Sequence, residues 1–123
     1  METLYWNIVN EIAELLPQNW GKVVMYSQIT QNSYEIFFYV KYGGKYKSVY
    51  NLEEETALSK REIRSAFKKV YELLLPDQIE KKWFCMTFIL NNEGSFRVEY
   101  DYEDHSTNTF SYKSLWKSKY LID

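Results

Sequence analysis

The chain has 123 residues, a formal net charge of −2 and 46% hydrophobic residues, a length that fits one domain with a real core and leaves little room for two. A mildly acidic balance, with a pI near 5.5, argues against direct nucleic-acid binding, which usually shows as a basic domain. No apolar run approaches the roughly 20 residues of a membrane helix, and a single cysteine, Cys85, excludes an internal disulfide.

Leu4, Ile8, Ile12 and Leu15 recur at helical spacing, and Trp6, Val9, Ala13 and Leu16 widen the stripe. Pro17 is the expected stop. The N-terminus Met1-Glu2-Thr3-Leu4-Tyr5 lacks the basic patch and cleavage pattern of a signal peptide, so a cytoplasmic protein is expected. Val23–Ile29 is β-branched and apolar, and reads as a strand. In Tyr34–Tyr42, Ile36, Phe38 and Val40 alternate against Glu35, Phe37, Tyr39 and Lys41; the aromatics on the second face imply that a helix covers it too. Gly43-Gly44 supplies the two positive-φ positions of a tight hairpin turn, and Tyr46–Leu52 returns with Tyr46, Ser48, Tyr50 and Leu52 on one face.

Glu53-Glu54-Glu55 forms an acidic link to a second helix. Ser59 is its expected N-cap, Glu62 completes a capping box, and Leu58 with Ile63 forms a hydrophobic staple. Ile63, Ala66, Phe67, Val70, Leu73 and Leu74 make its buried stripe, and Pro76 is expected to end it. Trp83–Leu90 reads as a strand with Phe84, Met86, Phe88 and Leu90 on one face. Asn91-Asn92-Glu93-Gly94 has hairpin length and composition, and Phe96–Tyr102 is the return strand. Phe110–Leu121 closes the chain as a helix, with Ser111 as cap and Leu115, Trp116 and Tyr120 as its contact face. The order is therefore α-β-β-β-α-β-β-α, an α+β fold in which a largely antiparallel sheet of about five strands carries packed helices, as one domain over residues 1–123.

Little in this inventory suits catalysis. The one histidine, His105, lies in a polar loop and reads as a solvated side chain. One His and one Cys are too few for a nitrogen- or sulfur-ligated metal, and Cys85 between Phe84 and Met86 reads as an inert core thiol. Gly43, Gly44 and Gly94 serve turns rather than a phosphate loop. No cofactor, metal or catalytic residue is expected, and the chain is read as a binding protein rather than an enzyme.

The segment Phe96–Asp104 is the most informative. Phe96, Val98, Tyr100 and Tyr102 alternate with Glu99, Asp101 and Glu103, and Asp104 extends the acidic row. Neighbouring carboxylates on one strand face have Cα atoms about 6.5–7 Å apart, a spacing compatible with a glycosidase pair or an oxygen-ligated cation, a solvated polar face, or an acidic patch that meets a basic partner. The partner-binding candidates are Glu99, Asp101, Glu103 and Asp104, chosen on charge. A counter-signal is the basic stripe Lys60, Arg64 and Lys68, flanked by Arg61 and Lys69, which suits either nucleic acid or a solvated helix face.

Trp83, the hairpin with Gly94-Ser95-Phe96, the run Tyr100-Asp101-Tyr102-Glu103-Asp104 and the ending Leu115-Trp116-Lys117-Ser118-Lys119-Tyr120-Leu121 together resemble the YezG/EsaG-type immunity proteins. Leu16-Pro17, Trp20, Val23, Tyr26 and Phe37-Phe38-Tyr39 resemble the N-terminal half of that family. The chain departs from the family pattern in a shorter middle, Gly43 to Ser59, and in Lys82 before Trp83 where proline is frequent. The resemblance implies an α+β antitoxin that neutralises, by complex formation, the toxic and often nucleolytic domain of a toxin exported by type VII secretion. Trp83, Phe96, Tyr100 and Trp116 then read as core anchors. The alternative is a regulatory or chaperone-like interaction module for another protein. Neither the cognate toxin nor the oligomeric state is legible in the sequence.

Overall fold

The computed structural model describes residues 2–52 and 59–122. The acidic link Glu53-Glu54-Glu55 and the Leu58 half of the expected staple lie outside the described residues. Helix α1 spans Glu2–Ala13. Strands β1 (Lys22–Ile29), β2 (Tyr34–Tyr42) and β3 (Lys45–Ser48) follow, then a short 3-10 turn Val49–Asn51. Helix α2 (Lys60–Lys81), strands β4 (Cys85–Asn91) and β5 (Phe96–Asp101), and helix α3 (Thr109–Tyr120) complete the order. The sheet runs β3-β2-β1-β4-β5, and every neighbouring pair is antiparallel. Architecture and element order agree with the sequence reading.

The apolar run of β1 explains its central place. Seven of its eight residues are buried, because helices cover both faces of the sheet. Val23, Met25 and Ile29 point to the face under α1 and α2, where they join Ile8, Ile12, Phe38, Val70, Leu74, Trp83 and Phe88. Val24 and Tyr26 point to the opposite face, where they join Phe84, Cys85, Ile89 and Trp116 of α3. The aromatics Phe37 and Tyr39 of β2 pack on this second layer, as their alternation suggested. The hairpin glycines have φ of 62° and 80°, so both positions favour glycine.

Local chemistry fixes the start of α2. Ser59 Oγ accepts from the Glu62 N–H at 3.2 Å, and Glu62 Oε1 accepts from the Ser59 N–H at 3.3 Å, a complete capping box. Its end departs from expectation, since Pro76 sits inside the helix. An interior proline costs about 3 kcal/mol, but the following turn is tied down by tertiary bonds. Trp83 Nε1 donates to Asp77 Oδ2 at 3.0 Å, and Gln78 Nε2 donates to the Trp83 carbonyl at 3.0 Å. The helix stops at Lys82, whose φ of 61° and ψ of 33° are left-handed.

Other boundaries also move. Helix α1 ends at Ala13, a turn before Pro17, and Trp6 is 45% exposed rather than part of the buried stripe; it meets Phe96 edge-on at 5.6 Å. Strand β3 stops at Ser48, whose Oγ accepts from the Tyr50 N–H. The 3-10 turn breaks the expected alternation, so both Val49 and Leu52 are buried. Phe84 faces away from Met86, Phe88 and Leu90, because it precedes the strand and belongs to the α3 layer. Ser111 lies within α3, whose N-cap is Asn108, and Leu115 is 70% exposed while Trp116 is buried. The basic residues Lys60, Arg61, Arg64, Lys68 and Lys69 are exposed on α2.

Candidate functional site

Strand β5 closes one edge of the sheet, and α3 crosses the face toward which Glu99 and Asp101 point. The helix is held there by Trp116, whose Nε1 donates to Thr87 Oγ1 at 2.8 Å. Trp116 packs edge-on against Tyr26 at 5.2 Å and Phe37 at 5.9 Å. Tyr112 and Tyr120 then reach back to the strand: Tyr112 donates to Asp101 Oδ2 at 2.8 Å, and Tyr120 donates to Glu99 Oε1 at 2.7 Å. Between helix and strand lies a cleft of about 340 Å³, walled by aromatic rings and by Glu99, Asp101, Glu103, His105 and Lys119.

The acidic row therefore divides. Glu99 and Asp101 are half-covered and hydrogen-bonded to tyrosines, not set on an open polar face. Strand β5 ends at Asp101, whose Oδ1 accepts from the Glu103 N–H at 3.0 Å. That turn brings Glu103 back beside Asp101 but leaves it 80% exposed. Asp104 points elsewhere: its Oδ1 accepts from the Ser106 N–H at 2.8 Å, and it lines a separate shallow depression with Tyr102 and Trp83. Tyr102, expected on the core face, is 59% exposed because the strand has already ended. Of the core anchors, Trp83 and Trp116 are buried in different layers, while Phe96 and Tyr100 are half-buried against the α1 side.

His105 is the main correction. It is not a solvated loop residue: its ring stacks on Tyr112 at 4.2 Å and meets Phe84 at 5.6 Å. Its Nε2 lies 3.2 Å from Asp101 Oδ2 and 3.7 Å from Glu103 Oε2. Partial burial pushes the Asp101 carboxyl up, but the Glu103 N–H, the Tyr112 hydroxyl and His105 outweigh it and hold it below the ordinary carboxylate value. Burial, reinforced by Cys85 and by the bond to Asp101, drives the Tyr112 hydroxyl well above the ordinary phenol. Burial and the bond to Glu99 do the same for Tyr120. The Cys85 thiol is pushed up to about 11, chiefly by burial.

These directions define the chemistry of the cleft. Its phenols, and the buried Cys85 thiol behind them, are held protonated at neutral pH, which is the opposite of an activated nucleophile. Asp101, Glu103 and His105 place one ligand atom each within 4.8 Å of one another. Asp101 is already satisfied there, with Tyr112, His105 and the Glu103 N–H as partners. The arrangement is a hydrogen-bonded latch with a net acidic mouth. Tyr112, Trp116 and Tyr120 are the site residues that the charge pattern alone missed. The signal available for them is their i, i+4 spacing on a helix; the contact face expected from the sequence contains Trp116 and Tyr120 but not Tyr112.

Comparison with known proteins places the chain in a family. The family model described as "Immunity protein YezG-like" matches residues 1–122. An immunity protein YezG from Bacillus spizizenii is 30% identical over 133 aligned residues, covering 98% of this chain and 82% of its own length. The type VII secretion system protein EsaG of Staphylococcus aureus is 27% identical, covering 89% of this chain and 72% of its own. An immunity protein YezG from Bacillus subtilis is 20% identical over 98% of this chain and 87% of its own length.

Proposed function

Because the chain belongs to the YezG-like immunity protein family, we propose that it is an antitoxin that binds the toxic domain of a secreted bacterial toxin and neutralises it as a complex. The observation that carries this reading is the family match over residues 1–122. Since one relative is named for the type VII secretion system, we assign the toxin to that export route and the meeting of the two proteins to the cytoplasm. Neutralisation is by occlusion or distortion, with no catalysis by this chain, which acts as a single domain. The protonated phenols of the α3 cleft support a non-catalytic role.

The toxin class we assign is a nuclease. Nuclease sites are basic because they bind phosphate, and an acidic surface both fits them and steers the encounter. The surface we assign to that contact is Glu99, Asp101, Glu103 and Asp104, with the exposed Leu115 and Tyr102 beside it. The exposed charges act mainly through the association rate, while the half-covered Glu99 and Asp101 also hold α3 in place.

Co-expression with the toxin domain encoded beside this gene tests the reading. Wild type is expected to restore growth and to bind the purified domain, with no nuclease or hydrolase activity of its own. Glu103→Lys with Asp104→Lys is expected to slow association at low salt and to leave the fold intact, with at most the loss of the Asp104–Ser106 turn bond. Failure to bind or protect against the adjacent toxin contradicts the antitoxin reading; an unchanged association rate contradicts the surface alone.

A further inference from the structure

The two edges of the sheet are built differently. Strand β3 has four residues, carries Lys45 and Lys47, and gives way at once to a 3-10 turn, the usual protection of an open edge. Strand β5 has six residues, FRVEYD, with neither proline nor lysine, and among the described residues no strand lies beyond it. The carbonyls of Ser95 and Asp101 both accept from the β4 side, from the Asn91 and Phe84 N–H groups. Antiparallel ladders alternate inward and outward residues, so the backbone groups of Phe96, Val98 and Tyr100 point outward along the free edge.

A second copy of this chain fits that edge in one register. Outward residues must pair with outward residues, which leaves antiparallel pairings centred on residue 97, 98 or 99. Centring on Arg97 sets arginine against arginine, and centring on Glu99 sets glutamate against glutamate; like charges directly opposite are destabilising. Centring on Val98 sets Arg97 of each copy against Glu99 of the other, twice by symmetry, and Phe96 against Tyr100, also twice. It uses all three outward residues for roughly six backbone hydrogen bonds. Arg97 is 67% exposed and reaches Glu99 of its own chain only along the strand, at 3.1 Å. The exposed aromatics Trp6 and Tyr102 flank opposite ends of the edge, and this register brings Trp6 of one copy toward Tyr102 of the other.

We infer that β5 is a self-association edge, through which two copies of this chain pair antiparallel about Val98 into one continuous sheet. The inference does not rest on the antitoxin reading, but it engages Glu99, one of the four carboxylates assigned there to the toxin contact. The pairing keeps Asp101, Glu103 and Asp104 at the outer ends of the shared ladder, one set per copy.

Sedimentation equilibrium of the purified chain over a wide concentration range tests it. Wild type is expected to form a dimer, and Arg97→Glu or Glu99→Arg alone to weaken it by about tenfold or more, since each turns both cross-strand pairs into like charges. An equimolar mixture of the two variants is expected to recover dimer, because each then meets its opposite charge at both positions. Val98→Pro removes an outward N–H and is expected to abolish the dimer with the circular dichroism spectrum unchanged. A chain that stays monomeric, single variants that dimerise like wild type, or a mixture that gains nothing each overturns the inference.

Discussion

The two faces of the sheet are covered by different kinds of material. Under α1 and α2 lies a continuous apolar layer, with Ile8, Met25, Phe38, Val70, Leu74, Trp83 and Phe88 all at or near zero exposure. Under α3 the layer is smaller and is knitted by polar tips: Trp116 to Thr87, Tyr26 to Gln28, Tyr112 to Asp101, Tyr120 to Glu99 and Lys113 to Glu35. Burial on the first face is non-directional and stabilises in proportion to area. Hydrogen bonds on the second fix where one short helix sits and hold a cleft open beside it. The first face is therefore where stability resides, and the second is where a surface of defined shape and charge is presented.

Mutations on the two faces should separate in size. Trp83→Ala on the α2 side removes a fully buried indole and its bond to Asp77; a loss of about 3–5 kcal/mol is expected in urea unfolding. On the α3 side, Thr87→Val leaves the buried Trp116 N–H without its acceptor, at an expected cost of about 1–3 kcal/mol.

Alkaline pH should strike the α3 face hardest, because Tyr26, Tyr112, Tyr120 and Cys85 all lie there, against Tyr100 and Tyr50 as the raised groups on the other face. Their folded values are raised by burial, so the stability they contribute is complete below the unfolded values and is lost as pH rises through the folded ones. For Cys85 that window runs from 9.0 to about 11. A melting temperature that falls steadily from about pH 9 upward is expected, with Trp116 fluorescence changing before global unfolding.

Tyr112→Phe is a smaller break. It removes one of the bonds that hold Asp101 low, at an expected cost of about 1 kcal/mol, and should move the Asp101 carboxyl titration upward when followed by NMR. Since Asp101 is depressed, its contribution is present above the unfolded carboxylate value and is lost only as pH falls through the folded one. Leu115→Ser should be the smallest, within about 0.5 kcal/mol, because Leu115 is 70% exposed; its expected effect is a weaker complex with the toxin domain.

Signals carried by neighbouring residues were legible in the sequence. The capping box of Ser59 and Glu62, the Gly43-Gly44 turn and the two-sided burial of β2 each depend on residues a few positions apart, and each stands as read. Signals that depend on docking were not. Pro76 stays in its helix because Trp83 and Gln78 anchor the next turn, a tertiary effect that outweighs local propensity. Phe84 faces the α3 layer because the chain bends before β4, which alternation cannot reveal. The acidic row was visible, but its division into tyrosine-bound Glu99 and Asp101, latched Glu103 and separate Asp104 requires α3 in place. His105 likewise became part of the site only through its stack on Tyr112.

The division of labour between the two faces is tested most directly by hydrogen exchange of this chain alone and in complex with the toxin domain encoded beside it. Added protection is expected in residues 99–105 and in α3, with α1 and α2 unchanged. Protection confined to α1 and α2, with the α3 face exchanging as in the free chain, would contradict the account.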